Sequence, residues 1–173
     1  KYTHPAFTFG DNEVRGFWIG KYELSSETPT ATDGGGSSTT LTARILPKVN
    51  SWRNKNVSNF STVIQNMQAS NNLYGLSTDK STTDSHMLTH MEWGAVAYLT
   101  HSAFGSCYGT DCTEVTINNC STYVTGIGAD AVSASRSSTT CTTDANKYNG
   151  AKGVLASTTG NVYGVYDMSG GAY

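Results

Sequence analysis

The sequence predicts a mixed α+β fold in a single domain, with two short helices, short antiparallel strands and much irregular loop. Its 173 residues fit one domain of ordinary size. Alternating apolar residues on both sides of the turn Gly10-Asp11-Asn12 indicate paired strands. Apolar residues spaced three and four apart in the middle of the chain indicate helices, and Ser, Thr and Gly fill much of the remainder.

Two stretches of the N-terminal part are expected to be strands, residues 6–9 and 17–24, and residues 114–118 alternate in the same way. Residues 25–43, which follow the second of these stretches, are rich in Ser, Thr and Gly. This stretch is predicted to be a flexible surface loop within the domain, because neither flank could be a complete domain alone.

Two helices are predicted from the spacing of apolar residues. The first is capped by Asn59 or Ser61 and places Val63, Ile64 and Met67 on one face. The second is capped by Asp84 or Ser85 and runs to about His101. The apolar stripe predicted to face the core comprises Met87, Met91, Ala95 and Leu99. The aromatic residues expected in the core are Trp18, Trp93, Tyr98 and Tyr166.

Charge and hydropathy exclude two classes of partner. Only 14% of the residues are charged and the formal net charge is -2. No run of Lys or Arg is present that could neutralise phosphates, so we do not expect nucleic-acid binding. No apolar stretch approaches the ~20 residues that span a bilayer, so we expect no membrane contact by this segment.

The four cysteines are predicted to form two disulfides, with free buried thiols as the alternative. Cys107, Cys112, Cys120 and Cys141 lie close together in a Ser/Thr-rich region, and their spacing does not match a zinc knuckle. Three pairings are possible, of which local closure favours Cys107–Cys112 and Cys120–Cys141. Disulfides of this kind predict an extracellular or cell-surface protein.

No catalytic residue is predicted. His86 and His90 have the i, i+4 spacing of zinc ligands, but no Glu between them could act as a base. Glu92 could form a carboxylate pair with Asp84 or Asp167, yet nothing in the sequence brings these side chains together. Histidines that bond to neighbouring loops at the start of a helix are the commoner case.

Three segments, in this order along the chain, resemble the formylglycine-generating enzyme family. Residues 16–24, GFWIGKYEL, resemble the opening strand of that family, and residues 91–99, MEWGAVAYL, resemble a helix that packs under its sheet. Residues 163–173, YGVYDMSGGAY, resemble its motif G-L-Y-D-M-S-G-N-V-W-E-W. The resemblance implies a C-type-lectin-like fold with little regular secondary structure.

The same resemblance implies a version without catalytic activity. Enzymes of the family carry a reactive cysteine pair in an arginine-rich region beyond this motif, whereas the present chain ends at Tyr173 and has Gly171 where the motif has Asn. We therefore expect one domain over residues 1–173, cut short at its C-terminal end. Related domains without that region are binding scaffolds in variable proteins of diversity-generating retroelements and in pilin-like bacterial surface proteins. Residues 3–8, THPAFT, are most similar to the latter.

The expected role is a binding, display or assembly module whose partner is a protein, a glycan or like subunits. The candidate contact residues are the tyrosines predicted to be exposed, Tyr108, Tyr123, Tyr148 and Tyr173. The family also implies structural calcium, for which Asp167 and Asn146 are the candidate ligands. No other cofactor is expected. Two rivals remain open, a fragment of an oxidase of the formylglycine-generating type and a structural subunit of an extracellular filament.

Overall fold

The chain has the predicted mixed α+β character, with two short helices and three antiparallel pairs of very short strands. A computed structural model describes residues 3–29, 35–120, 123–129, 141 and 143–171. The elements, in chain order, are β1 (Thr8–Phe9), β2 (Asn12–Glu13), β3 (Ser25–Ser26), β4 (Ala43–Arg44), α1 (Val57–Gln65), α2 (His90–Ala97), β5 (Cys107–Tyr108) and β6 (Asp111–Cys112). Short 3-10 turns lie between several of them, the first at Pro5–Phe7.

The chain turns back at Gly10 as predicted, but the second strand of the hairpin is Asn12–Glu13 rather than residues 17–24. Phe9 pairs with Asn12 across a two-residue loop, and Gly10 adopts a φ of 58° that favours glycine. Residues 17–24 are irregular, and Trp18 is fully exposed rather than in the core. Residues 114–118 form a single bridge between Asn118 and Gly170 instead of a strand.

The ends of the Ser/Thr/Gly-rich stretch 25–43 belong to the packed structure. Ser25 and Ser26 are buried and pair with Arg44 and Ala43 to form β3–β4. Nearby, the indole of Trp52 lies on Gly35, where a Cβ would come within 2.4 Å of the ring. The predicted bounds of the loop therefore include packed residues at both ends. Its residues 30–34 lie outside the described part of the chain.

Both helices begin at residues other than those predicted. α1 is capped by Asn56, whose side chain accepts a hydrogen bond from the backbone N–H of Asn59 at 2.9 Å. α2 is capped by Thr89 and continues into a 3-10 turn at Tyr98–His101, so residues 84–89 precede the helix. The sequence contains the signal for this later start, since Thr89-x-x-Glu92 is a capping box.

Two small clusters of buried apolar residues lie in the described part of the chain. One is formed by Tyr22, Ala156 and Tyr166, as predicted for Tyr166, and the other by Ala43, Trp52 and Val63. Val63 is the buried member of the face that was predicted for α1, with Met67 packed against the cluster.

Buried hydroxyl groups surround these clusters and are satisfied by backbone carbonyls. Thr125 donates to the carbonyl of Leu46 at 2.6 Å, and Ser51 donates to that of Tyr123 at 2.8 Å. Such bonds remove the cost of burying a polar group but contribute only about 1 kcal/mol each. The fold is thus held by many modest polar interactions around a limited apolar core.

Candidate binding surface

A row of large apolar side chains between residues 87 and 108 is exposed, which corrects the prediction that the second helix carries the core. Met91 is 49% exposed and Tyr98 is 72% exposed. We name this row the α2 surface, and its members are Met87, Leu88, Met91, Tyr98, Leu99, Phe104 and Tyr108. Its members lie before and on α2, on the turn Tyr98–His101 that extends α2, and on or just before β5, which packs beside that turn.

The reason for this exposure is that α2 buries a different face. Its buried residues are Glu92 and Val96, and it packs against the turn Pro5–Phe7. Met91 and Tyr98 are seven residues apart and therefore share a face away from Glu92. Gly94 lies between them with open space where a Cβ would be, so this face of the helix is flat. Trp93, also predicted in the core, is 45% exposed on the other side of the helix.

A clasp of three ionisable side chains holds the segment before α2. The Nδ1 atom of His86 lies 2.9 Å from Asp84 Oδ2, and its Nε2 atom lies 3.0 Å from Glu92 Oε1. Glu92 is 2% exposed, and its Oε2 atom accepts hydrogen bonds from the backbone and hydroxyl of Thr89, both at 2.8 Å. We name Asp84, His86 and Glu92 the His86 clasp. The fold thus brings Asp84 and Glu92 to one histidine, which the sequence alone did not indicate.

The ionisation of the clasp follows from these contacts. Burial lowers the pKa of His86, but the hydrogen bond and charge of Glu92, with the charge of Asp84, outweigh it and raise the pKa above its usual value. Burial also opposes ionisation of Glu92, yet the hydrogen bonds from Thr89 and His86 hold its pKa below the usual value. The clasp therefore joins an imidazolium to two carboxylates, and its nitrogens are not free to act as a base or to bind a metal.

Two disulfides stabilise the C-terminal half in the pairing that local closure predicts. Cys107–Cys112 joins β5 to β6 directly opposite each other, across a two-residue loop in which Gly109 has a φ of 63°. Cys120–Cys141 joins residues 21 apart in sequence. All four cysteines of the sequence are therefore oxidised.

A shallow pocket of about 230 Å³ lies at the base of the β5–β6 hairpin. Ser106 and Thr113, on either side of the disulfide, line it together with Leu155, Thr159 and Gly160. The hydroxyl of Ser106 is buried and has no hydrogen-bond partner within the described residues. A buried hydroxyl without a partner costs free energy, so this pocket can receive a polar group of a binding partner.

Asp167 and Asn146, the candidate calcium ligands, both bind the backbone of residues 126–128. Both carboxylate oxygens of Asp167 accept hydrogen bonds, from the backbone N–H groups of Glu23 and Gly126 and from the side chain of Asn118. Burial raises the pKa of Asp167, and these donors oppose the rise. Asn146 is buried and donates to the carbonyl of Gly128 at 2.8 Å. These contacts tie chain segments together, and calcium binding stays a prediction.

The tyrosines predicted to be exposed differ in their surroundings. Tyr108 is 58% exposed and belongs to the α2 surface. Tyr148 is half-buried against the rings of Tyr22 and Tyr166, and Tyr123 is half-buried with the guanidinium of Arg53 4.3 Å from its ring centre. Tyr173 lies outside the described residues. Of the four, Tyr108 is thus the one placed to contact a partner in the described structure.

Comparison with known protein families, with curated proteins and with solved structures found no match to this chain. Within the described ranges, no helix is both long enough and apolar enough to cross a bilayer.

Proposed function

We propose that this chain is a non-catalytic extracellular module that assembles with further copies of itself through the α2 surface. The observation that carries this proposal is the exposure of eight large apolar side chains in one stretch of 22 residues, seven of which form the α2 surface. Exposed apolar surface of this extent is typical of protein interfaces. The two disulfides fit an oxidising, extracellular compartment.

The exposed area is consistent with a stable dimer. At roughly 150–250 Å² for each aromatic side chain, the exposed parts of Tyr98, Phe104 and Tyr108 amount to on the order of 400 Å². The two methionines and two leucines of the surface, 39–49% exposed, bring this close to the roughly 800 Å² that each partner buries in an interface of standard size.

Charge does not oppose contact with a second copy. The α2 surface contains no Lys, Arg, Asp or Glu, and the one acidic residue of α2, Glu92, is buried. An uncharged surface selects no partner by charge complementarity, and a net charge of -2 gives little repulsion between copies. An apolar patch that meets the same patch on a second molecule forms an isologous contact.

The sequence resemblance extends this proposal to a particular fold and class of protein. On that basis the mixed α+β fold is C-type-lectin-like, and the chain is part of a pilin-like bacterial or phage surface protein. Under this proposal the α2 surface is the contact through which such a protein displays or joins its domains. The Ser106 pocket, at the edge of the surface, would accept a polar group of the neighbouring copy.

The rival function is an oxidase that acts on a cysteine of a substrate peptide. That chemistry needs a thiolate, and all four cysteines of this sequence are in disulfides. Incubation with a cysteine-containing peptide of the sulfatase type, copper and oxygen should therefore yield no aldehyde by mass spectrometry. Turnover that disappears when any one of the four cysteines is replaced would restore the enzyme.

Sedimentation velocity over a range of concentrations tests the proposal. We expect the wild-type chain to dimerise reversibly and the double variant Tyr98→Ser/Phe104→Ser to remain monomeric at the same concentrations. Leu73→Ser is the matched control, because Leu73 is 71% exposed but lies outside the α2 surface. A wild-type chain that is monomeric at every concentration would contradict assembly through this surface.

A further inference from the structure

We propose that the His86 clasp makes the order of the α2 surface depend on protonation, with the surface held in place when His86 is an imidazolium. This inference rests on the proposed function of the α2 surface as a contact site. It is carried by the geometry of the clasp, in which both ring nitrogens of one histidine face carboxylates.

Only the protonated ring can satisfy both contacts. An imidazolium has two N–H groups, one for Asp84 at 2.9 Å and one for Glu92 at 3.0 Å. A neutral imidazole has one N–H, so the other nitrogen would present a lone pair to a carboxylate. Glu92 is buried and Asp84 has a 67% exposed side chain, so the neutral ring keeps Glu92 and releases Asp84 to water.

The other elements around His86 offer no charge to replace Asp84. β1 contributes the uncharged ring of Phe9, whose centre is 5.9 Å from that of His86. The turn Pro5–Phe7, packed on α2, has no charged side chain, and the ring of His4 before it accepts a hydrogen bond from the backbone of Ala6. The charges that face His86 in the described structure are thus Asp84 and Glu92, and both favour the imidazolium.

The clasp controls a short segment that carries part of the α2 surface. Ser85 is tied to the first helical region, because its N–H donates to Gln68 and its hydroxyl donates to the carbonyl of Ile64. Thr89 is tied to α2 through the capping box. Between these two anchors, His86 is the residue whose side chain bonds to α2, and Met87 and Leu88 follow it. Its Nδ1 atom also lies 3.3 Å from the backbone carbonyl oxygen of Asp84, an acceptor that cannot turn away to water. The neutral ring must therefore shift from this oxygen, and the shift loosens residues 86–88 without unfolding α2.

The direction of the pH effect follows from the two pKa shifts. The folded-state pKa of His86 is raised, so its stabilisation is complete below the usual value of about 6.5 and is lost as the pH rises through the higher folded-state value. The pKa of Glu92 is lowered, so its stabilisation is complete above about 4.5 and is lost only as the pH falls through the lower folded-state value. The clasp is closed between these limits and opens on the alkaline side.

NMR on the full chain at dilute, monomeric concentration tests the clasp separately from assembly. We expect the ring proton of His86 to titrate above pH 6.5 and the backbone of Met87 and Leu88 to become more mobile through the same transition. Exchange of the Met87 and Leu88 amides, corrected for their intrinsic rates, should accelerate by up to about tenfold for each pH unit by which the pKa of His86 is raised, whereas the Thr89 amide, bonded to Glu92, should keep its rate. Asp84→Asn, an exposed change, should move the midpoint to lower pH.

His86→Gln should abolish the pH dependence of residues 86–88, whereas His90→Gln should leave it unchanged, because His90 is an exposed histidine of α2 outside the clasp. The inference is overturned if wild-type His86 titrates at or below pH 6.5, or if residues 86–88 are equally ordered on both sides of its titration. Sedimentation velocity tests assembly independently of the clasp. A chain that is monomeric but has a pH-sensitive segment would refute assembly and still support the inference about the clasp.

Discussion

At the scale of single residues, Asp167 shows how this fold uses one carboxyl group to join distant segments. Its carboxylate binds the backbone at Glu23 and Gly126 and the side chain of Asn118, which are 144, 41 and 49 residues away in sequence. Its φ of 59° is rare for a residue other than glycine, so the surrounding contacts must stabilise this backbone conformation. One side chain therefore fixes the relative positions of three segments.

Asp167→Asn should destabilise the protein by about 2–3 kcal/mol, because the new amide would point an NH₂ group at a backbone donor that now binds an oxygen. Chemical denaturation followed by tryptophan fluorescence measures the loss. Asp144→Asn is the control, since Asp144 is an exposed acid paired with Lys147 and should change the stability by less than about 0.5 kcal/mol. Equal effects of the two changes would mean that Asp167 is not a structural junction.

At the scale of elements, the sequence predicts the existence of α2 but not its inward face. The apolar spacing of Met87, Met91 and Leu99 correctly indicates a helix in this region, yet Glu92 and Val96 are the residues that are buried. A helix that is apolar on all sides has no sequence pattern that shows which face is buried. In this fold the buried face is set by packing against the turn Pro5–Phe7.

The disulfides were predictable because local closure limits the pairings.

The clasp and the Asp167 junction could not be predicted, for a related reason. Each joins side chains whose meeting depends on irregular backbone, and irregular backbone has no period to read from the sequence. The start of α2 was available in the sequence, because Thr89-x-x-Glu92 is a capping box. Recognising it would have placed Asp84 and His86 before the helix, though not in contact with Glu92.

Val96→Ala should destabilise the protein more than Met91→Ala, the reverse of what the apolar stripe implies. Val96 is 4% exposed, so its truncation should cost about 1.5–3 kcal/mol. Met91 is half exposed and should cost less than about 1 kcal/mol. Thermal and urea denaturation of the monomer measure both. A loss at Met91 equal to or greater than that at Val96 would mean that the inward face of α2 is misassigned.

At the scale of the whole molecule, the two apolar clusters of the described residues are small. They contain three buried residues each, and fully buried hydroxyls such as those of Ser25 and Thr125 lie among the other buried groups. Hydrogen bonds satisfy these groups but contribute modestly. We therefore expect the two disulfides to contribute a large share of the stability.

Reduction of both disulfides should lower the melting temperature by roughly 10–20 °C. In the chain-entropy description, closing the Cys107–Cys112 loop contributes about 2 kcal/mol and closing the longer Cys120–Cys141 loop about 3 kcal/mol, against a typical total of about 5–15 kcal/mol. For a chain of this length, each kcal/mol shifts the melting temperature by about 2–4 °C.

Calorimetry of the oxidised and reduced chain measures this shift in melting temperature. Double variants in which both cysteines of one disulfide are replaced by serine show how much each disulfide contributes to it. Cys120→Ser/Cys141→Ser should lose about 1 kcal/mol more than Cys107→Ser/Cys112→Ser, because the longer loop gains more freedom in the unfolded state. The hairpin variant should keep β5–β6 close to its present register, since the two-residue loop at Gly109 favours the same pairing. An unchanged melting temperature after complete reduction would show that the core alone supports the fold.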